Sequence, residues 1–208
     1  MTLDLLLMVA TIGFLGMISP GPDFFFVVKS SLSYPRRYAM MTCLGVVLGI
    51  MTHMVYCVAG IAIIIKTTPW LFSLLRYVGA LYLIWLGIKA IFSKVHGNIY
   101  LGHNAKKHNI SYTKALIKGY LCNLLNPKAT LFFLAIFTQF LTVDSSLLDK
   151  LTVSVIILLE ALIWWPFVVF VFQSEAVQRR YFKMQFIIDK LLGLVLIALG
   201  IKVALGAI

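Results

Sequence analysis

Apolar residues run along this chain in long blocks, and polar residues cluster in the gaps between blocks and at two places inside them. A helix needs ~20 apolar residues to cross ~30 Å of hydrocarbon. On that measure the pattern predicts six spans, at about 3–32, 39–65, 69–92, 115–141, 147–172 and 184–206. The expected fold class is therefore all-α and integral to a membrane. The longest polar gap, 94–114, carries His96, His103 and His108. It reads as a solvated cytoplasmic connector, because these histidines fit no compact metal-ligand spacing.

The two interior interruptions are chemically specific. The first span contains Ser-Pro-Gly-Pro-Asp at 19–23, and the fourth contains Asn-Pro-Lys at 126–128. Proline removes a backbone donor and crowds the preceding turn, costing ~3 kcal/mol in a helix interior. In hydrocarbon the freed groups have no water to turn to, so such a break persists where it lines a cavity or packs on protein. Proline also favours the first position of a helix. Half-helices are thus expected to begin at Pro22, with Gly21 as the flexible step after Pro20, and at Pro127, with Asn126 as the cap. Their N-termini would approach the membrane centre from opposite sides, and unpaired N–H groups with the positive dipole ends would form anion sites.

Composition agrees with the pattern. Hydrophobic residues make up 62% of the 208 and charged residues 12%, with a mean hydropathy of +0.99, against roughly 45–50% and ~25% in a soluble domain. Length suggests a single domain over 1–208. Basic residues outnumber acidic ones 18 to 7, but they fall between apolar blocks, where they set orientation and meet anionic headgroups. No nucleic-acid-binding pattern accompanies them, so nucleic acid is not an expected partner. Cys43, Cys57 and Cys122 lie in or beside apolar blocks without CxxC spacing and read as reduced packing residues. The N-terminus has Asp4 in place of a basic n-region and no small-residue cleavage site, so it reads as the first span.

Loop charge orients the chain. Lys29, Arg36 and Arg37 follow the first span, Lys94, Lys106, Lys107, Lys114 and Lys118 the third, and Arg179, Arg180, Lys183 and Lys190 the fifth. The other side holds only Lys66, Arg76, Lys150 and Lys202. By the positive-inside rule those three connectors are cytoplasmic and both termini face outward.

A repeat is also visible. LIWLGIK at 83–89 and LIALGIK at 196–202 are identical at six of seven positions, and each half opens with a proline-broken span. Three spans per half make the second copy enter from the opposite side, the inverted-repeat arrangement. The halves expected are 1–93 and 115–208, joined by 94–114.

Ionisable side chains at mid-depth cost at least ~2.5–3.5 kcal/mol on insertion scales and ask for a reason. Lys128 would oppose the dipole at the second position of its half-helix but strengthen an anion site. Asp23 is either a first-turn acid or a functional group. Glu160 is either a salt-bridge partner of Lys128 or a proton or ammonium site. Asp189, near the cytoplasmic end of the sixth span, reads as an exposed interfacial acid. His53 reads as a hydrogen-bonded core residue. Asn123, Asn126 and Gln139 are amides that must find partners. No nucleophile constellation, P-loop or HExxH motif occurs, which excludes the common enzyme readings.

With these residues in place, the chain resembles the LysE/RhtB family of amino-acid exporters, and within it the threonine-efflux branch. The resemblance lies in SPGPDFFFV at 19–27, GALYLIWLG at 79–87, NLLNPKAT at 123–130, Glu160 with the aromatic pair Trp164 and Trp165, and RRYFKMQFIID at 179–189. It departs in the histidine-bearing third connector and in Thr-Gln-Phe at 138–140, where some relatives have Pro-Gln-Phe. What it implies is an inner-membrane secondary carrier exporting neutral amino acids such as threonine or homoserine, driven by protons, dimeric or higher, and needing no cofactor. A zwitterion suits the predicted site: its carboxylate would meet the half-helix ends at Gly21–Pro22 and Asn126–Pro127 with Lys128, and its ammonium Asp23 or Glu160. Glu160, Asp23 and Asp189 are the candidates for proton coupling. The alternatives are export of a metal cation or other small solute, with His53, Cys57 and Cys122 as candidate ligands, and a membrane scaffold without transport.

Overall fold

The computed structural model describes residues 2–19, 21–92, 111–141 and 145–205, and these residues are helical with no strand among them. In chain order the helices are α1 (Leu3–Ile18), α2 (Pro22–Ser33), α3 (Arg36–Thr67), α4 (Pro69–Ile91), α5 (Tyr112–Leu124), α6 (Pro127–Phe140), α7 (Leu147–Val171) and α8 (Glu175–Ala204). Pro20 and the connector histidines lie outside the described residues.

Both proline interruptions break the helix. α1 and α2 meet at 57°, and α5 and α6 at 58°. Arg36–Gly60 within α3 and Leu147–Val171 are each long and apolar enough to cross a membrane, and each bent pair qualifies when taken together, giving up to four candidate spans by length and composition. α4 and α8 occupy the positions of the third and sixth predicted spans. α3 and α8 begin several residues before their apolar runs, at Arg36 and Glu175. Hydropathy marks only the apolar part of a helix, whereas the backbone hydrogen bonds run on into the polar end. α7 opens with a capping box, Ser146 Oγ accepting from Asp149 N at 3.1 Å and Asp149 Oδ2 accepting from Ser146 N at 2.9 Å. Pro166 lies inside α7 and the helix continues past it to Val171, so a proline alone does not make a break here.

Two seams bring backbones together. Along α3 and α5, a Cβ on Gly119 would lie 2.0 Å from Thr42 O and one on Gly45 would lie 2.1 Å from Leu116 O. Along α4 and α8, a Cβ on Gly87 would lie 2.5 Å from Gly193 O, one on Gly193 2.6 Å from Gly87 O, and one on Gly200 2.7 Å from Ala80 O. Position 87 pairs with 193 and 80 with 200, so α4 and α8 run antiparallel. Close approach through small residues is how helices associate in lipid, where expulsion of water contributes little. Outside the seams the surface stays apolar: on α7, Ile163 is 72% exposed and Phe170 62%, a cost in water but not against acyl chains.

Candidate functional site at the two helix breaks

Each break ends one half-helix and starts another. Gly21 caps α2 with extended backbone (φ −169°, ψ −176°) and no side-chain hydrogen bond, Pro22 takes the first position, and Asp23 the second. Asn126 caps α6, its Oδ1 accepting from Lys128 N at 3.0 Å, with Pro127 first and Lys128 second. Asp23 and Lys128 therefore hold the same position in two half-helices and carry opposite charge.

Each charge is held by the other break. Asp23 Oδ2 accepts from Asn123 Nδ2 at 2.8 Å and from Asn126 Nδ2 at 2.9 Å, and Cys122 Sγ approaches Asp23 Oδ1 at 3.7 Å. Lys128 Nζ donates to Ser19 O at 2.8 Å and to Ser19 Oγ at 3.0 Å. Ser19 directly follows α1, where carbonyls lose their intrahelical partners and the dipole is negative. A cation unfavourable at the start of α6 is thus favourable at the end of α1. In the last turn of α5, Asn123 O accepts from Asn126 N at 3.1 Å and lies 3.2 Å from His53 Nε2. His53 is fully buried, and its Nδ1 pairs with Tyr56 OH, which accounts for the histidine as a bonded core residue.

Between the breaks lies a cavity lined by residues of both. Its polar wall is Ser19, Gly21, Asp23, Asn123, Asn126 and Lys128. The apolar wall includes Met17, Ile50, Phe132, Phe133 and Trp165. Gly21, Pro22, Asp23, Asn123, Asn126, Pro127 and Lys128 are thus brought together, most of them on the cavity.

Two predicted residues lie elsewhere. Glu160 sits against α1, where a Cβ on Gly13 would be 2.6 Å from its Oε2, and this oxygen is buried without a hydrogen-bond partner among the described residues. Asp189 is buried, 1% exposed, and not an interfacial acid in water as its place in the sequence suggested. α8, which carries it, packs closely on α4. Gln139 is buried in α6.

Sequence reasoning missed Ser19 and the apolar wall. For Ser19 a signal existed: a broken helix leaves carbonyls that need a donor, and Lys128 is a cation in search of an acceptor. For Trp165 and Ile50 there was none, since an apolar residue facing a cavity reads like one facing lipid.

Residues 14–207 match the family described as LysE type translocator. The chain is 30% identical over 204 residues to the threonine efflux protein of Escherichia coli (strain K12), covering 98% of this chain and 99% of that protein. It is 30% identical over 196 residues to the uncharacterized membrane protein YrhP of Bacillus subtilis (strain 168), covering 91% and 93%. The threonine efflux protein of Salmonella typhi is 29% identical over 198 residues, covering 95% and 96%. No solved structure matches the chain.

Proposed function

This chain belongs to the LysE type translocator family, and on that premise we propose that it exports neutral amino acids by alternating access about the cavity between its two helix breaks. It is a multi-pass membrane transporter and not an enzyme. The names of its relatives make threonine the first substrate class to try, and homoserine, its isomer, the second.

The observation that carries the reading is the opposed pair Asp23 and Lys128, at equivalent half-helix positions around one cavity. A zwitterion presents a carboxylate and an ammonium a few bond lengths apart. Its carboxylate takes the half-helix N-termini and Lys128, and its ammonium takes Asp23. Once bound, it replaces the contacts that tie each break to the other, and the halves are released to rock. Six spans in two inverted halves, 1–93 and 115–208, are the architecture of this proposal. The reciprocal contacts of Gly87 with Gly193 and Gly200 with Ala80 support it, because Gly87 and Gly200 are equivalent in the repeated heptapeptides and Ala80 and Gly193 stand seven residues before them. Proton coupling falls to Glu160, Asp23 or Asp189; Glu160 Oε2 is buried without a hydrogen-bond partner among the described residues. The inner membrane, outward termini and a homo-oligomer belong to the same proposal.

The test is uptake of a panel of labelled amino acids into inside-out vesicles, with and without a proton gradient. Gradient-stimulated uptake of neutral amino acids is expected. Uptake of none would remove the export reading, and uptake indifferent to the gradient would remove proton coupling alone.

A further inference from the structure

The cavity divides by chemistry into a wall that can bind the two charges of an amino acid and a wall that can meet only its side chain. On the first wall, the hydrogen-bonding groups of Ser19, Asp23, Asn126 and Lys128 are clustered at the breaks and joined across them. On the second, Met17, Ile50, Phe132 and Phe133 offer carbon and sulfur. Phe132 is fixed there by α1: its ring fills the notch at Gly16, where a Cβ would fall 1.9 Å from the ring.

Beyond the groups joined across the breaks, two polar atoms on lining residues could have met a substrate hydroxyl, and neither faces the open space. Trp165 Nε1 is covered by protein and has no hydrogen-bond partner among the described residues. Asn123 Oδ1 is also covered, turned against α3 where a Cβ on Gly49 would be 2.6 Å away. His53 packs behind Phe133 with both ring nitrogens engaged.

We infer that the side-chain pocket of this site selects apolar amino acids, of the valine, leucine and methionine class, over hydroxylated ones. The inference rests on the export reading above and specifies its substrate. Threonine is the isostere of valine with a hydroxyl in place of a methyl. A pocket without a hydroxyl partner rejects such an isostere only moderately, by up to about a hundredfold, whereas a pocket built around the hydroxyl rejects the apolar isostere by about 10⁴-fold or more. Threonine is then a weaker passenger of a valine-type pocket, and not an excluded one.

The experiment is uptake of labelled valine and labelled threonine into inside-out vesicles containing the full chain, each competed with the other unlabelled. Expected is a specificity ratio favouring valine by between tenfold and about a hundredfold. Equal handling, or preference for threonine, overturns the inference while leaving export standing. Transport of no amino acid overturns both. Ile50→Thr, which sets a hydroxyl in the apolar wall, is expected to move the ratio toward threonine; an unchanged ratio in a variant reconstituted at wild-type level counts against this wall as the selecting surface.

Discussion

The break after α1 and the break after α5 share a backbone plan and differ in what completes it. Both place proline first and a charged residue second in the new half-helix, and both leave carbonyls at the end of the old one. At the first break the cap is Gly21, with no side chain to offer, and the stranded Ser19 carbonyl is met by Lys128 from the other side. At the second the cap is Asn126, which bonds its own helix through Oδ1 and Asp23 through Nδ2. The first break is thus completed from outside itself and the second largely from within. The lesson is one of dependence: the first break should be the looser and the more readily remade by a ligand.

Lys128→Met tests this most severely, since it removes two charge-assisted hydrogen bonds worth about 1.5–3 kcal/mol each and leaves the first break without its donor. Transport in vesicles should fall by two orders of magnitude or more, about 1.4 kcal/mol per tenfold, at unchanged membrane level. Asp23→Asn should cost about tenfold or more, because an amide oxygen is a weaker acceptor for Asn123 and Asn126 than a carboxylate. Near-normal transport in either variant would break the crossed arrangement. Glu160→Gln touches neither break; several-fold loss of gradient-driven uptake with exchange unaffected is expected, and equal loss of both would make Glu160 structural. Asn126→Ala should lower thermal stability in detergent by at least about 1 kcal/mol for the lost cap, with the bond to Asp23 lost beside it, while the first break, capped by Gly21, has no comparable side chain to remove. Gly21→Ala should be the mildest. Its backbone is extended, the new Cβ would lie 3.0 Å from the flexible end of Lys128, and transport should stay within about twofold of wild type.

The sequence made the breaks legible because proline acts on its own backbone, and the positions of Pro22, Pro127, Asn126, Asp23 and Lys128 in their half-helices follow from local rules. Which break holds which charge was not legible, since Lys128 with Ser19 and Asp23 with Asn123 are separated by about a hundred residues and meet only through packing. Glu160 shows the same boundary. Its isolation in an apolar span flagged it, but only the docking of α7 on α1 places its carboxylate at Gly13. Asp189 was misjudged for a related reason: distance along a helix from the membrane centre says nothing about which neighbour covers a residue.

The seam between α4 and α8 has a practical corollary. Carbonyl oxygens of Gly87 and Gly193 lie where each other's side chains would be, so the join depends on contact distance and not on solvent being driven out. Such a join does not need a bilayer around it. Extraction into a micelle should leave this pair of helices clasped even where the proline-broken segments loosen, making it the natural place for a fiducial label or a conformational antibody during purification.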